Sequence, residues 1–160
     1  MRRPVEPPAA SSRLVLRRAT REDVDRVLEI EKEGFLHPWS RELVERELDH
    51  AWSALLLAED GVGGPVVGYI VFWVVHDEVH VLNVAAAVAA RRRGVGRSLM
   101  EAAEGEGRRR GARLSTLEVR RSNEAAIALY RAMGYRQVGI RPNYYAEERE
   151  DAIVMVKTLG

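Results

Sequence analysis

The chain has 160 residues, 46% of them hydrophobic, and a formal net charge of +1. That is enough for one domain with a single core, and too balanced for a broad polyanion-binding field. It has no cysteine, which excludes disulfides, thiol nucleophiles and thiolate metal sites and fits a reducing cytosol. All but Lys32 and Lys157 of its 25 basic residues are arginine, a side chain suited to bidentate phosphate contacts but also a mark of a GC-rich genome.

Met1–Ser12 combines Pro4, Pro7 and Pro8 with Ala and Ser and lacks an apolar segment. It is expected to be a disordered tail rather than a secretory signal, leaving residues 13–160 as one domain. Leu14 to Arg17 alternates as a strand. Thr20 caps a helix to about Glu33, with Val24, Val27, Leu28 and Phe35 as its apolar stripe. Its acids Glu29, Glu31 and Glu33 read as a solvated face, or as an attractor for a basic peptide. His37-Pro38-Trp39-Ser40 is a loop, and Ser40 caps a second helix through Leu48. Ser53 to Ala58 is a strand, and Asp60 to Pro65 a turn. Val66–Val75 and Val79–Ala87 are strands joined at His76-Asp77; the first of these apolar runs is too short to span a bilayer, so no membrane partner is expected. A helix over Arg93–Arg109 ends at Gly111, a strand follows over Leu114–Val119, and Asn123 caps a helix through Met133, closed by Gly134. Tyr135–Ile140 and Ala152–Lys157 complete the strands. This order argues an α+β, mixed α/β architecture.

Two segments carry chemistry. Leu82 to Leu99, LNVAAAVAARRRGVGRSL, runs from an apolar strand through Arg91, Arg92 and Arg93 into Gly94-Val95-Gly96 and a helix start. Backbone N–H groups at such a turn are unpaired at the positive end of a helix dipole and suit phosphate. The spacing is neither a Walker A loop nor GxGxxG. The second segment, Thr116 to Tyr135, places Glu118 in a central strand between Leu117 and Val119. A carboxylate there must face a cleft or a partner; an ion pair with an arginine is the plain alternative to a catalytic role. Tyr130, seven residues after Asn123, reads as a core aromatic or as a proton donor. The four histidines show no metal-site spacing, so no metal is expected.

Together, Arg91-x-x-Gly94-x-Gly96 and LEVRRSNEAAIALYRAMGY closely resemble the GNAT acetyltransferases. His37-Pro-Trp-Ser40 and Asn143-Tyr-Tyr…Glu150-Asp-Ala-Ile-Val-Met155 are similar to the branch of bacterial ribosomal-protein-alanine N-acetyltransferases. The resemblance covers about Leu14 to Met155. It implies the GNAT fold, a central, mixed, mostly antiparallel sheet of about seven strands with helices on both faces. It implies acetyl-CoA as cosubstrate and transfer to the α-amine of an N-terminal alanine, that of the small-subunit ribosomal protein S-eighteen. Val84, Ala85 and Ala86 would line the acetyl-pantetheine arm. Residues Arg92, Arg93, Gly94, Val95, Gly96 and Arg97 would wrap the pyrophosphate, and Asn123 would contact the cofactor. Glu118 would be the general base and Tyr130 the general acid. Trp39, Tyr144 and Tyr145 would wall a peptide slot, although each also reads as ordinary packing. Ala87-Val88 stands where relatives commonly carry Asp-Pro, a departure that touches loop geometry rather than chemistry.

The residue types suit the reaction. At pH 7.5 roughly a quarter of an α-amine of pKa ~8 is neutral, against ~0.1% of a lysine amine, so modest base assistance suffices. A splayed strand at residues 84–86 can offer an N–H to the oxyanion. The rival readings are a GNAT of relaxed peptide or small-amine specificity, an inactive CoA sensor, and a ribosome- or nucleic-acid-binding module using the arginine clusters. Near-neutral charge argues against direct nucleic-acid binding. The expected enzyme is a cytoplasmic monomer.

Overall fold

The computed structural model describes residues 13–145 and 149–160, and its elements follow the expected order. β1 (Leu14–Arg18) precedes a 3₁₀ turn at Arg21–Asp23, α1 (Val24–Gly34) and α2 (Arg41–Asp49). Then come β2 (Ser53–Asp60), β3 (Val66–Val75), β4 (Glu78–Ala86), a 3₁₀ turn at Val88–Ala90, and α3 (Val95–Arg109). β5 (Leu114–Arg120), α4 (Glu124–Ala132), β6 (Arg136–Tyr145) and β7 (Glu150–Thr158) complete the chain. The expectation for Met1–Ser12 lies outside the described residues.

The seven strands are ordered β1-β2-β3-β4-β5-β7-β6. β1–β2, β5–β7 and β6–β7 pair antiparallel, and β4–β5 pairs parallel. The β4–β5 ladder runs from Glu78↔Leu114 to Val81↔Leu117. β5 continues along β7 to Arg120↔Ala152.

By internal contacts the chain forms two compact units. One runs to Val71 and resumes over Asn83–Ala102; the other comprises Phe72–Leu82 and Ala103–Gly160. The first buries Val24, Val27, Ile30, Val44, Leu57, Ile70, Leu99 and Met100. The second buries Phe72, Val79, Leu117, Tyr130, Tyr135, Ala152 and Met155. Glu104, a wholly buried carboxylate of the second unit, accepts from the Tyr135 hydroxyl at 2.9 Å and Lys157 Nζ at 2.7 Å, which satisfies the charge.

The caps lie where side-chain chemistry puts them. Ser40 Oγ accepts from the Leu43 N–H and Asn123 Oδ1 from the Ala126 N–H. Gly134, at φ +101°, closes α4. Several boundaries differ from expectation by a residue or two, and two of the differences have a clear backbone cause. α3 begins at Val95 rather than Arg93, because Gly94 turns to φ +76°. β6 runs on through Pro142 to Tyr145. Proline is tolerated there because β6 is the edge strand and Pro142 owes no N–H to a neighbour.

Candidate functional site

The glycine loop in the first unit is a left-handed turn feeding a helix. Arg92 takes φ +64° and Gly94 φ +76°. The first helical bond of α3 runs from the Ser98 N–H to the Gly94 carbonyl at 3.0 Å. Among the described residues, the N–H groups of Gly94, Val95, Gly96 and Arg97 have no backbone acceptor, as the first turn of a helix dictates. The Arg93 guanidinium is held by Asp60 at 3.1 Å and that of Arg97 by Glu101 at 3.0 Å. Beside the backbone N–H groups and the helix dipole, the loop also carries the exposed guanidinium groups of Arg91 and Arg92.

Gly68 in β3 seats this loop. A Cβ there would lie 2.5 Å from Val95 Cγ1, 2.9 Å from the Ala85 carbonyl oxygen and 3.3 Å from Leu99 Cδ1. The missing side chain lets the start of α3 descend onto β3 and β4. In β4, Val79 and Val81 are buried, but Asn83, Val84, Ala85 and Ala86 are all partly exposed. The last four residues of this strand are thus half-open rather than core.

The Ala87-Val88 departure has a structural answer. Val88 retains the N–H that proline would lack, and it donates to Glu33 Oε1 at 3.3 Å. A carboxylate from α1 thus holds the turn.

Glu31 corrects the reading of α1's acids as a solvated face. It is 1% exposed. Val24, Val27 and Glu31 fall on one helical stripe, at i, i+3 and i+7, so burying that stripe buries the carboxylate with it. It is satisfied by three donors. The Tyr69 hydroxyl and Asn83 Nδ2 both donate to Oε1, and the Trp39 N–H donates to Oε2 at 2.8 Å. Burial pushes the carboxyl above its ordinary value, opposed by those hydrogen bonds. Phe35 and Leu28, expected in the stripe, are only half-buried.

In the second unit Glu118 is not free. Its Oε2 lies 2.8 Å from His80 Nε2, and its Oε1 lies 3.5 Å from the Arg141 guanidinium. The His80 hydrogen bond, then the His80 and Arg141 charges, hold the carboxyl below the usual carboxylate range, against desolvation. An ionised carboxylate only accepts, so His80 Nε2 carries a proton and donates it to Glu118 Oε2. Exposure separates the pair, since the His80 side chain is 32% accessible and that of Glu118 9%. The Trp73 ring meets the imidazole edge-on at 6.1 Å. Sequence reasoning weighed His80 only as a metal ligand with His76. The available signal was a polar residue between Val79 and Val81 in a buried strand.

Tyr130 lies in α4, 7% exposed, with its ring 5.9 Å from Tyr135. Among the described residues its hydroxyl has no hydrogen-bond partner. Burial, then Tyr145, pushes the phenol up to about 12, so it is protonated at neutral pH. Tyr145 senses both candidate groups. Its own phenol is pushed up to about 12, by burial first, with Glu118 among the raising charges and Arg120 opposing. The Arg120 guanidinium sits 3.9 Å over the Tyr145 ring, and Tyr144 packs edge-on at 5.1 Å. Tyr144 is 46% exposed. Both tyrosines follow a break in the β6–β7 register after Arg141, with Asn143 at φ +50°. Asn123 spends Oδ1 on its cap, leaving its amide nitrogen for any ligand. Ala146, Glu147 and Glu148 lie outside the described residues.

Among the described residues no three His, Asp or Glu side chains are grouped as a metal site, and no helix is long and apolar enough to cross a membrane.

Residues 24–135 match the Acetyltransferase (GNAT) family. The chain is 35% identical over 140 residues to a putative [ribosomal protein bS18]-alanine N-acetyltransferase of Bacillus subtilis, covering 87% of this chain and 91% of that one. It is 35% identical over 135 residues to the [ribosomal protein bS18]-alanine N-acetyltransferase of Escherichia coli K12, covering 83% and 89%. The crystal structure of the Escherichia coli ribosomal-protein-S18-alanine N-acetyltransferase superposes with a TM-score of 0.83 at 31% identity, over 92% of this chain and 94% of that one. The glycine loop before α3, the half-open β4 strand and this breadth of similarity agree, and the chain belongs to the GNAT family as an acetyl-CoA-dependent N-acetyltransferase.

Proposed function

We propose that this chain moves acetyl from acetyl-CoA to the N-terminal α-amine of a protein, that of alanine in ribosomal protein bS18, as a cytoplasmic monomer with residues 13–160 acting as one catalytic domain. The observation that carries the reading is the Glu118–His80 pair, a partly exposed imidazole oriented by a buried carboxylate. Such a pair suits an amine that titrates near neutrality. The relatives named for alanine N-acetylation match nearly end to end.

The loop N–H groups of Arg93, Gly94, Gly96 and Arg97, with Arg92 and Val95 shaping the turn, hold the pyrophosphate; Asn123 adds a side-chain donor. Val84, Ala85 and Ala86 form the floor beneath the acetyl-pantetheine arm, and a β4 N–H faces the developing oxyanion. The bound cosubstrate supplies a thioester, which the free α-amine attacks directly.

Glu118 is too acidic, and too fully engaged by His80 and Arg141, to be an efficient base by itself. His80 Nδ1 receives the ammonium proton, directly or through a water, and Glu118 stabilises the imidazolium. Tyr130, protonated and unpartnered, gives its proton to the departing thiolate. The C–N bond forms, the C–S bond breaks, and the proton lost by the amine is balanced by the one gained by sulfur. Tyr144, Tyr145 and Trp39 wall the peptide.

Mass spectrometry of short peptides incubated with acetyl-CoA tests the reading. An alanine-terminated peptide is acetylated at its α-amine ahead of other N-termini and of N-blocked lysine peptides. Preferential acetylation of lysine or of small amines overturns it.

A further inference from the structure

The carboxylate of Glu31 has one oxygen on a loop and the other on a strand. Oε2 takes the Trp39 N–H at 2.8 Å, while Oε1 takes Asn83 Nδ2 and the Tyr69 hydroxyl. Asn83 immediately precedes Val84, where the half-open stretch of β4 begins its floor. Trp39, partly exposed, follows His37-Pro38 in the segment joining α1 to α2. The backbone of that segment is therefore held one carboxylate's width from the side chain beside the floor. The same end of α1 carries Glu33, which accepts the Val88 N–H, and Gly34, whose Cβ position is 3.6 Å from Arg91 Nη2.

A buried carboxylate is a demanding way to fill this space. An apolar side chain of similar size would pack without the desolvation cost, whereas a carboxylate fixes the directions of three donors. The gain is geometrical, and it falls on Trp39 and Asn83.

We propose that Glu31 is a positioning residue for the acyl acceptor: by clamping the Trp39 segment to Asn83 of β4 it sets one wall of the acceptor slot beside the thioester, and peptide recognition depends on it while acetyl-CoA binding does not. This rests on the reading of residues 84–86 as the thioester floor and of a peptide N-terminus as acceptor.

Three variants separate positioning from mere stability. Glu31→Leu keeps the volume and removes both acceptors. Glu31→Gln can still accept from the Trp39 N–H through its oxygen and donate to the Tyr69 hydroxyl through its nitrogen, and it keeps the strand end once Asn83 turns its amide to present the carbonyl oxygen. Tyr69→Phe removes a donor from Oε1 and leaves Trp39 on Oε2. Amide hydrogen exchange at Trp39 reports the clamp without any substrate, and the split between peptide KM, kcat and acetyl-CoA Kd reports its use. In Glu31→Leu, Trp39 exchange speeds and peptide KM rises, each about tenfold, with acetyl-CoA Kd unchanged. Glu31→Gln restores most of both. Tyr69→Phe also takes an acceptor from Asn83 Nδ2, so it loosens only the strand end: Trp39 exchange stays unchanged and peptide KM rises by less than in Glu31→Leu. If Glu31→Leu does not fold, Asn83→Ala releases the strand end of the clamp and raises peptide KM several-fold at constant acetyl-CoA Kd. Unchanged Trp39 exchange in a folded Glu31→Leu, unchanged peptide KM in Asn83→Ala, or parallel losses of peptide and acetyl-CoA binding overturn the proposal. A wild-type protein that acetylates no peptide overturns the peptide reading instead, and the Trp39 exchange result still judges the clamp.

Discussion

His80 Nε2 donates a 2.8 Å hydrogen bond to Glu118 Oε2, and the imidazole is the more exposed partner. If that imidazole is the proton acceptor, His80→Ala lowers kcat/KM at pH 7 by ~10²–10⁴, and the loss shrinks as pH rises above the α-amine pKa of about 8. Glu118→Gln keeps the acceptor but weakens its orientation, and costs less. The measurement is the pH–rate profile of both variants on one alanine-terminated peptide. Full activity of His80→Ala at pH 7 would reduce the pair to an internal ion pair.

Tyr130 makes a separate prediction. Tyr130→Phe deletes only the unpartnered hydroxyl of a largely buried side chain, so the fold and acetyl-CoA affinity persist while kcat falls. Calorimetric binding of CoA beside steady-state rates checks this. An unchanged kcat means that the thiolate takes its proton elsewhere.

Gly68 makes a prediction about both stability and cosubstrate binding. The Cβ of Gly68→Ala would stand 2.5 Å from Val95 Cγ1 and 2.9 Å from the Ala85 carbonyl oxygen, displacing the start of α3. The expected cost is about 1–3 kcal/mol of stability, with a weaker acetyl-CoA Kd. Adding Val95→Ala relieves the closer clash and recovers part of both, so the double variant is non-additive in thermal melts and in calorimetry. Additive losses would show that the two residues do not share the site.

What the sequence made legible was local. The caps at Ser40 and Asn123, the glycine loop and the order of strands follow from neighbours a few residues apart. Glu31 was illegible because its donors arrive from Tyr69, Asn83 and Trp39, separated from it by 38, 52 and 8 residues. Glu118 was recognised as a carboxylate needing a partner, but the parallel register that sets His80 beside Thr116, two positions from Glu118, is a tertiary fact. The extension of β6 past Pro142 was hidden for the same reason, since only the strand order shows it to be an edge.

Asp23 predicts an acid limit. Its hydrogen bond from Arg17 first, then the Thr20 N–H, hold the carboxyl at about 2 against desolvation. A depressed folded-state value means that this contribution to stability is complete above the ordinary value of 3.8 and is lost as pH falls toward 2. Asp23→Asn therefore lowers the melting temperature at pH 7, and the gap from wild type narrows as pH falls from 3.8 toward 2. A gap that stays constant across this range would deny the ion pair its role.

The position of β7 between β5 and β6 has a consequence for how the protein is made. Glu118 pairs with Val154, which the ribosome adds roughly 36 residues later, about 2–7 s at typical elongation rates. Until β7 emerges and docks, an emerged β5 has its parallel partner β4 on one side but an open edge on the other, the kind of edge that recruits foreign strands. The strand carrying the proposed proton-handling carboxylate is thus exposed to misassociation on the nascent chain. Synonymous changes that slow translation between Arg120 and Ala152 should lower soluble yield without altering the activity of the molecules that fold.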